Sequence, residues 1–172
     1  GFNPDDEGWW RVIASAAVDD ELAIVPYGRG EYLAAIDVSD PTGDITATHR
    51  VWEKTGIGTD VPTPVMHGQN VLLLSDGKRT KGKLSYLDKK TGDVLWEFDL
   101  PRAKASYFAS PVIAGEMLYC AREDGIIMAC RLADGVQLLG ENDMDESVIA
   151  TPIPIRGKLL VRGEKHLFLI GD

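Results

Sequence analysis

Few side chains in this sequence are spaced for chemistry, and each set also has a plainer use. The run Asn142-Asp143-Met144-Asp145-Glu146 supplies oxygen ligands of the kind that hold calcium. It lacks the glycine-bearing loop of a sequence-local calcium site, so it reads as a solvated acidic loop between two structural units. His49, His67 and His166 each stand apart from any His or Cys at metal-ligand spacing and read as surface or packing residues. Arg29, within Tyr27-Gly28-Arg29-Gly30, and the pair Arg122-Glu123, before Asp124-Gly125, fall in turns. An arginine on such a loop can grip a carboxylate, so Arg29, Arg122 and Glu123 are candidate binding residues, against the simpler reading of exposed turn charges. Cys120 and Cys130 flank the same turn. They read as two small buried side chains on neighbouring strands, with a disulfide as the alternative. Gly56-Ile57-Gly58 is no phosphate loop, and neither Gly-x-x-x-x-Gly-Lys nor Gly-x-Ser-x-Gly occurs. No catalytic residue and no metal or cofactor ligand is assigned.

Composition narrows the function classes. The 172 residues carry 27 acidic and 18 basic side chains, a formal net charge of −9, which repels a phosphate backbone and argues against nucleic-acid binding. No apolar run approaches the roughly 20 residues of a membrane-spanning helix. The opening Gly1-Phe2-Asn3-Pro4-Asp5-Asp6-Glu7 has neither the basic nor the apolar stretch of a secretory leader.

The elements that would position these residues come in copies. Ala14–Val18, Pro62–Val65, Ala109–Val112 and Ala150–Ile153 align, with Ser15, Thr63, Ser110 and Thr151 at their centres, spaced 48, 47 and 41 residues apart. Each is followed by a turn and a β-rich run: Glu21–Val25, Asn70–Leu74, Glu116–Cys120 and Lys158–Val161. A third strand follows over Tyr32–Asp37, Leu84–Asp88, Ile127–Arg131 and His166–Ile170. A fourth is expected over Thr48–Trp52, Asp93–Phe98 and Val136–Leu139, and the last copy has none. Helical periodicity is nearly absent, so the chain reads as all-β. Four-stranded units repeating every 40 to 50 residues predict the blades of a β-propeller.

The segment Leu87-Asp88-Lys89-Lys90-Thr91-Gly92-Asp93-Val94-Leu95-Trp96 resembles the tryptophan-docking motif of quinoprotein (PQQ-like) propeller repeats. The first copy keeps Trp52 with a longer turn. The third keeps Gly135 and puts Leu139 four residues on, at the motif's Trp position. The resemblance runs from about Trp10 to the end. It implies that Asp88, Thr91, Gly92 and Gly135 shape tight turns and that Trp52 and Trp96 dock neighbouring blades. Blades are expected over about 10–53, 61–99, 107–141 and 148–172.

The resemblance implies two functions of different class. Non-enzymatic members use their blades for protein interaction outside the cytoplasm, so a periplasmic or extracellular binding scaffold without a cofactor is the first expectation. The alternative is a fragment of a PQQ-dependent alcohol or sugar dehydrogenase, with calcium. This sequence lacks the vicinal cysteines that many of those enzymes carry. Propeller blades protect their faces by closing a ring. Four blades are thus expected to be part of a seven- or eight-bladed ring, its C-terminal half, completed either by a second copy or by missing N-terminal blades.

Overall fold

The computed structural model describes residues 11–30, 32–45 and 47–171; the acidic opening, Trp10 and the boundary drawn there lie outside the described residues. Among these residues fifteen strands form four antiparallel sheets. Sheet 1 holds β1 (Ala17–Val18), β2 (Leu22–Tyr27), β3 (Tyr32–Asp37) and β4 (Arg50–Thr55). Sheet 2 holds β5 (Val65–His67), β6 (Asn70–Leu74), β7 (Lys83–Asp88) and β8 (Val94–Asp99). Sheet 3 holds β9 (Val112–Ala114), β10 (Met117–Ala121), β11 (Ile126–Leu132) and β12 (Val136–Asp143). Sheet 4 has three strands, β13 (Ile153–Ile155), β14 (Lys158–Arg162) and β15 (Leu167–Ile170). Within each sheet the strands pair in chain order, and the first strands of successive sheets touch in series. Among the described residues the only helical turn is Gly28–Gly30, and no helix is long and apolar enough to cross a membrane.

Residue pattern explains why the sheets stack. β6 reads Asn-Val-Leu-Leu-Leu, a nearly continuous apolar run, as suits a strand covered on both faces. β8, at the outer edge, alternates exposed and half-buried side chains instead. Between sheets 1 and 2, Ile24, Leu33 and Ala35 meet Val71, Leu73 and Leu87. Between sheets 2 and 3, Leu72, Leu74, Leu84 and Tyr86 meet Leu118, Cys120, Met128 and Cys130. Between sheets 3 and 4, Ala121 and Ile127 meet Leu159 and Val161. There is thus one apolar layer per joint, and no sheet hides both faces without a neighbour.

Several boundaries differ from the sequence expectation. The first strands begin at Ala17, Val65, Val112 and Ile153, after the aligned hydroxyl and not across it. Proline offers no N–H to a ladder at Pro64, Pro111 and Pro152, and the hydroxyls are used between sheets. The outer strand of the first copy runs over Arg50–Thr55, later than expected. Asn142 and Asp143, read as part of a loop, extend β12, where Asn142 pairs with Ile127 and Asp143 with Ile126.

The third and fourth strands of sheets 1, 2 and 3 share a bulge at one place. Trp52, Trp96 and Gly140 pair with Ala35, Tyr86 and Ala129, and the next residue back on each outer strand, Val51, Leu95 or Leu139, has no opposite number. The structure therefore corrects the motif alignment in the third copy: Gly140 occupies the tryptophan position and Leu139 is the bulged residue. The β11–β12 pairing reaches Leu132 and Val136 around a tighter turn, which displaces the count by one.

Candidate functional site

Two arrangements stand out: the joints between sheets and a hollow among the loops at one end of sheets 1 and 2. At the first joint the Trp52 indole donates from Nε1 to the Lys89 carbonyl at 2.9 Å. Asp88 shapes the receiving turn, its Oδ1 accepting the N–H groups of Lys90 at 2.8 Å and Thr91 at 3.0 Å. Those backbone bonds, Thr91 first, hold the Asp88 carboxyl below its ordinary pKa. Gly92 sits at φ 72°, and a Cβ there would lie 2.8 Å from Trp52 Cδ2. Beneath the turn, Lys89 Nζ meets Asp19 of sheet 1 at 2.6 Å with only 7% of its side chain exposed. That hydrogen bond, with backbone N–H donors, lowers the Asp19 pKa to about 2.

The second joint is built differently. Trp96 stacks at 4.8 Å on Tyr86 of its own sheet and packs against the core shared by sheets 2 and 3. A Cβ on Gly135 would meet no atom within 4 Å, so no ring covers that turn. At the third joint the tryptophan position is Gly140, and a hollow of about 500 Å³ lies between sheets 3 and 4, lined among others by Tyr119, Ile127, Asn142, Ile155 and Ile170.

All three joints share one further bond. Ser15 N–H donates to Thr63 Oγ1 at 3.1 Å, Thr63 N–H to Ser110 Oγ at 2.9 Å, and Ser110 N–H to Thr151 Oγ1 at 3.0 Å. The aligned hydroxyls form a relay in which each unit's amide is satisfied by the next unit's side chain. Repetition alone exposed these positions; the donor and acceptor roles were not readable from it.

Of the loop candidates, Arg29 is exposed and held at φ 59° between two glycines also at positive φ, Gly28 and Gly30. It lines a hollow of about 380 Å³ with Lys78, Arg79, Asp76, Gly30 and Gly58. Gly58 fits because a Cβ would come within 2.8 Å of the Gly30 carbonyl oxygen. The Asp76 carboxylate is occupied by the N–H groups of Asp60 at 2.8 Å and Val61 at 3.0 Å; burial nevertheless raises its pKa. Arg29, Lys78 and Arg79 form no ion pair with any described residue. Lys78 and Arg79 were missed because nothing in sequence places them beside Arg29. Arg122 and Glu123 are not brought to this hollow. Arg122 is buried, donating to Asp124 at 2.8 Å, and Glu123 accepts the Ser106 N–H at 2.8 Å.

The acidic run does not converge. Asp143 accepts the Asp145 N–H at 2.9 Å, while Glu146 binds the backbone of Lys165 and His166, fixing the β14–β15 turn. His67 meets the Tyr86 hydroxyl at 2.6 Å. Among the described residues no group of three or more His, Cys, Asp or Glu side chains is gathered for a metal. Cys120 and Cys130 are free thiols in the core between sheets 2 and 3, and burial pushes Cys130 up to about 11 and Cys120 well above its ordinary value. Buried thiols on separate strands do not fit the vicinal pair that packs on a quinone, so no step is derived through one.

Four sheets in series, each leaning on the next through its first strand and one apolar layer, define a partial β-propeller of quinoprotein-like repeats. A family model described as outer membrane protein assembly factor BamB matches residues 31–163, and the chain belongs to that family. No curated sequence matches. Among solved structures, BamB from Moraxella catarrhalis superposes with TM-score 0.66 at 18% identity, over 94% of this chain and 45% of that one. The computationally designed Ika4 protein superposes with TM-score 0.69 at 15% identity, over 96% and 95%. The designed Ika8 protein gives 0.66 at 15%, over 88% and 43%. The chain thus spans less than half the length of the BamB it matches.

Proposed function

We propose that this chain is a non-catalytic propeller scaffold that binds an acidic segment of a protein partner, outside the cytoplasm, through the loops of its first two blades. The observation that carries this reading is the hollow lined by Arg29, Lys78 and Arg79, three exposed cations without ion pairs to described residues in a chain of net charge −9. Unpaired arginines on a rigid loop suit carboxylate recognition, and the surrounding negative field disfavours wrong partners. The family's name supports a place at the outer membrane. In this reading Trp52 and Trp96, with Asp88, Thr91, Gly92 and Gly135, serve blade docking alone, and neither quinone nor calcium takes part. Fluorescence anisotropy of a labelled Glu-rich peptide tests it. Binding should weaken with salt, and R29A/K78A/R79A should weaken it at least tenfold without changing the melting temperature. Equal binding by the triple variant would sink the proposal.

A further inference from the structure

The hollow that holds Arg29, Lys78 and Arg79 does not end the run of positive charge. Lys81 follows in the same loop, half-buried, and its Nζ donates to the Lys104 carbonyl at 2.6 Å. That bond ties the β6–β7 loop to the connection between β8 and β9, which carries two further exposed cations, Arg102 and Lys104. The connection is fixed at both ends. Leu100 N–H donates to the Gly82 carbonyl at 3.0 Å. At the far end the Ser106 N–H donates to the Glu123 carboxylate at 2.8 Å, and the Glu123 N–H donates back to the Ser106 carbonyl at 2.8 Å. At the near end Gly30 lies so close to the backbone of Asp60 that a Cβ would come within 3.0 Å of its nitrogen, and Asp60 N–H is held by Asp76. The loops of sheets 1, 2 and 3 are thus joined without a break. Their acidic side chains are already engaged: Asp60 pairs with Arg11, Asp76 and Glu123 accept backbone N–H groups, and Asp124 pairs with Arg122. Arg29, Lys78, Arg79, Lys81, Arg102 and Lys104 make no ion pair with any described residue.

We infer that the acidic segment bound at the hollow continues over sheet 2 onto the β8–β9 connection, as an extended stretch of carboxylates with two anchors. Arg29, Lys78 and Arg79 hold one end, Arg102 and Lys104 the other, and Lys81 lies between them. Like charges gathered on fixed loops repel one another, and a polyanion laid across them removes that cost. Packed sheets stand about 10 Å apart, so the path from the turn of sheet 1 to the turn of sheet 3 is about 20 Å, the reach of about six extended residues. A single carboxylate or a compact acidic turn would fill the hollow alone. The second anchor calls for a linear segment whose acidic residues are spread over at least that length. Once the first anchor is engaged, the second binds at the effective concentration the segment imposes, so affinity rises with length until both are filled. Glu123 contributes by fixing the connection and does not touch the segment. This rests on the acidic-partner reading of the hollow and adds to it the shape of the partner and a second region of contact.

Fluorescence anisotropy with labelled peptides of four and of twelve glutamates tests it on the whole chain. The longer peptide should bind more tightly. R102A/K104A removes two exposed side chains and should leave the melting temperature unchanged. It should weaken the twelve-residue peptide roughly fivefold or more while leaving the four-residue peptide within about twofold. R29A/K78A/R79A should weaken both. K90A/R131A, at exposed cations on the opposite end of the sheets, should change neither. Twelve-residue binding weakened no more by R102A/K104A than by K90A/R131A would overturn the inference and leave the reading of the hollow intact, as would equal weakening of the two peptides by R102A/K104A. Failure of both peptides to bind, or equal binding by R29A/K78A/R79A, would remove the reading of the hollow and the inference with it.

Discussion

Gly92 shows how one missing side chain fixes a joint. Its backbone occupies the left-handed region and its α-carbon lies beneath the Trp52 ring, so Gly92→Ala adds both a strained φ and a clash at 2.8 Å. The expected cost is about 2 kcal/mol, read as a shift of the urea midpoint. Gly135→Ala meets open space and should cost less, which chemical denaturation of the two variants side by side would show. The Lys89–Asp19 contact makes stability depend on pH. The folded pKa of Asp19 is about 2, below its ordinary 3.8, so the unfolded chain binds the proton more readily. The contribution is complete above pH 3.8 and disappears as pH falls through about 2. Asp19→Asn should flatten that part of the acid stability profile; an unchanged profile would remove the pair from the account.

At the scale of elements, the relay hydrogen-bonds the segments just before successive first strands across the joints. Thr63→Val keeps the shape but leaves the Ser15 N–H unsatisfied, and a loss of about 1 kcal/mol is expected by chemical denaturation. Much of this level was legible in the sequence. The copies aligned, the strands alternated or ran apolar according to their cover, and the Asp88–Trp96 segment announced its turn. Three features were hidden for physical reasons. Hydroxyls bond across a joint only once two copies lie side by side. A bulge shifts pairing by one residue without changing the apolar pattern, so Gly140 was not recognised at the tryptophan position. Arg122 is buried although its partner Asp124 stays exposed, an outcome that packing decides, while Arg29 gains Lys78 and Arg79 from another sheet. The candidate site was therefore legible at one of its three cations.

For the whole molecule, a series of sheets that touch only their neighbours distributes stability unevenly. Sheets 2 and 3 have apolar layers on both sides, and sheet 4 has one. Amide exchange of the dilute protein should be slowest in β6, β7, β10 and β11 and fastest in β13 and β15. Uniform protection would mean that the joints couple more tightly than their contacts imply.

The bulges at Val51, Leu95 and Leu139 recur 44 residues apart, each on the outermost strand of its sheet. A kinked ladder cannot zip against a straight foreign strand, so these three rims resist fibril-like growth even though each shows an apolar residue to water.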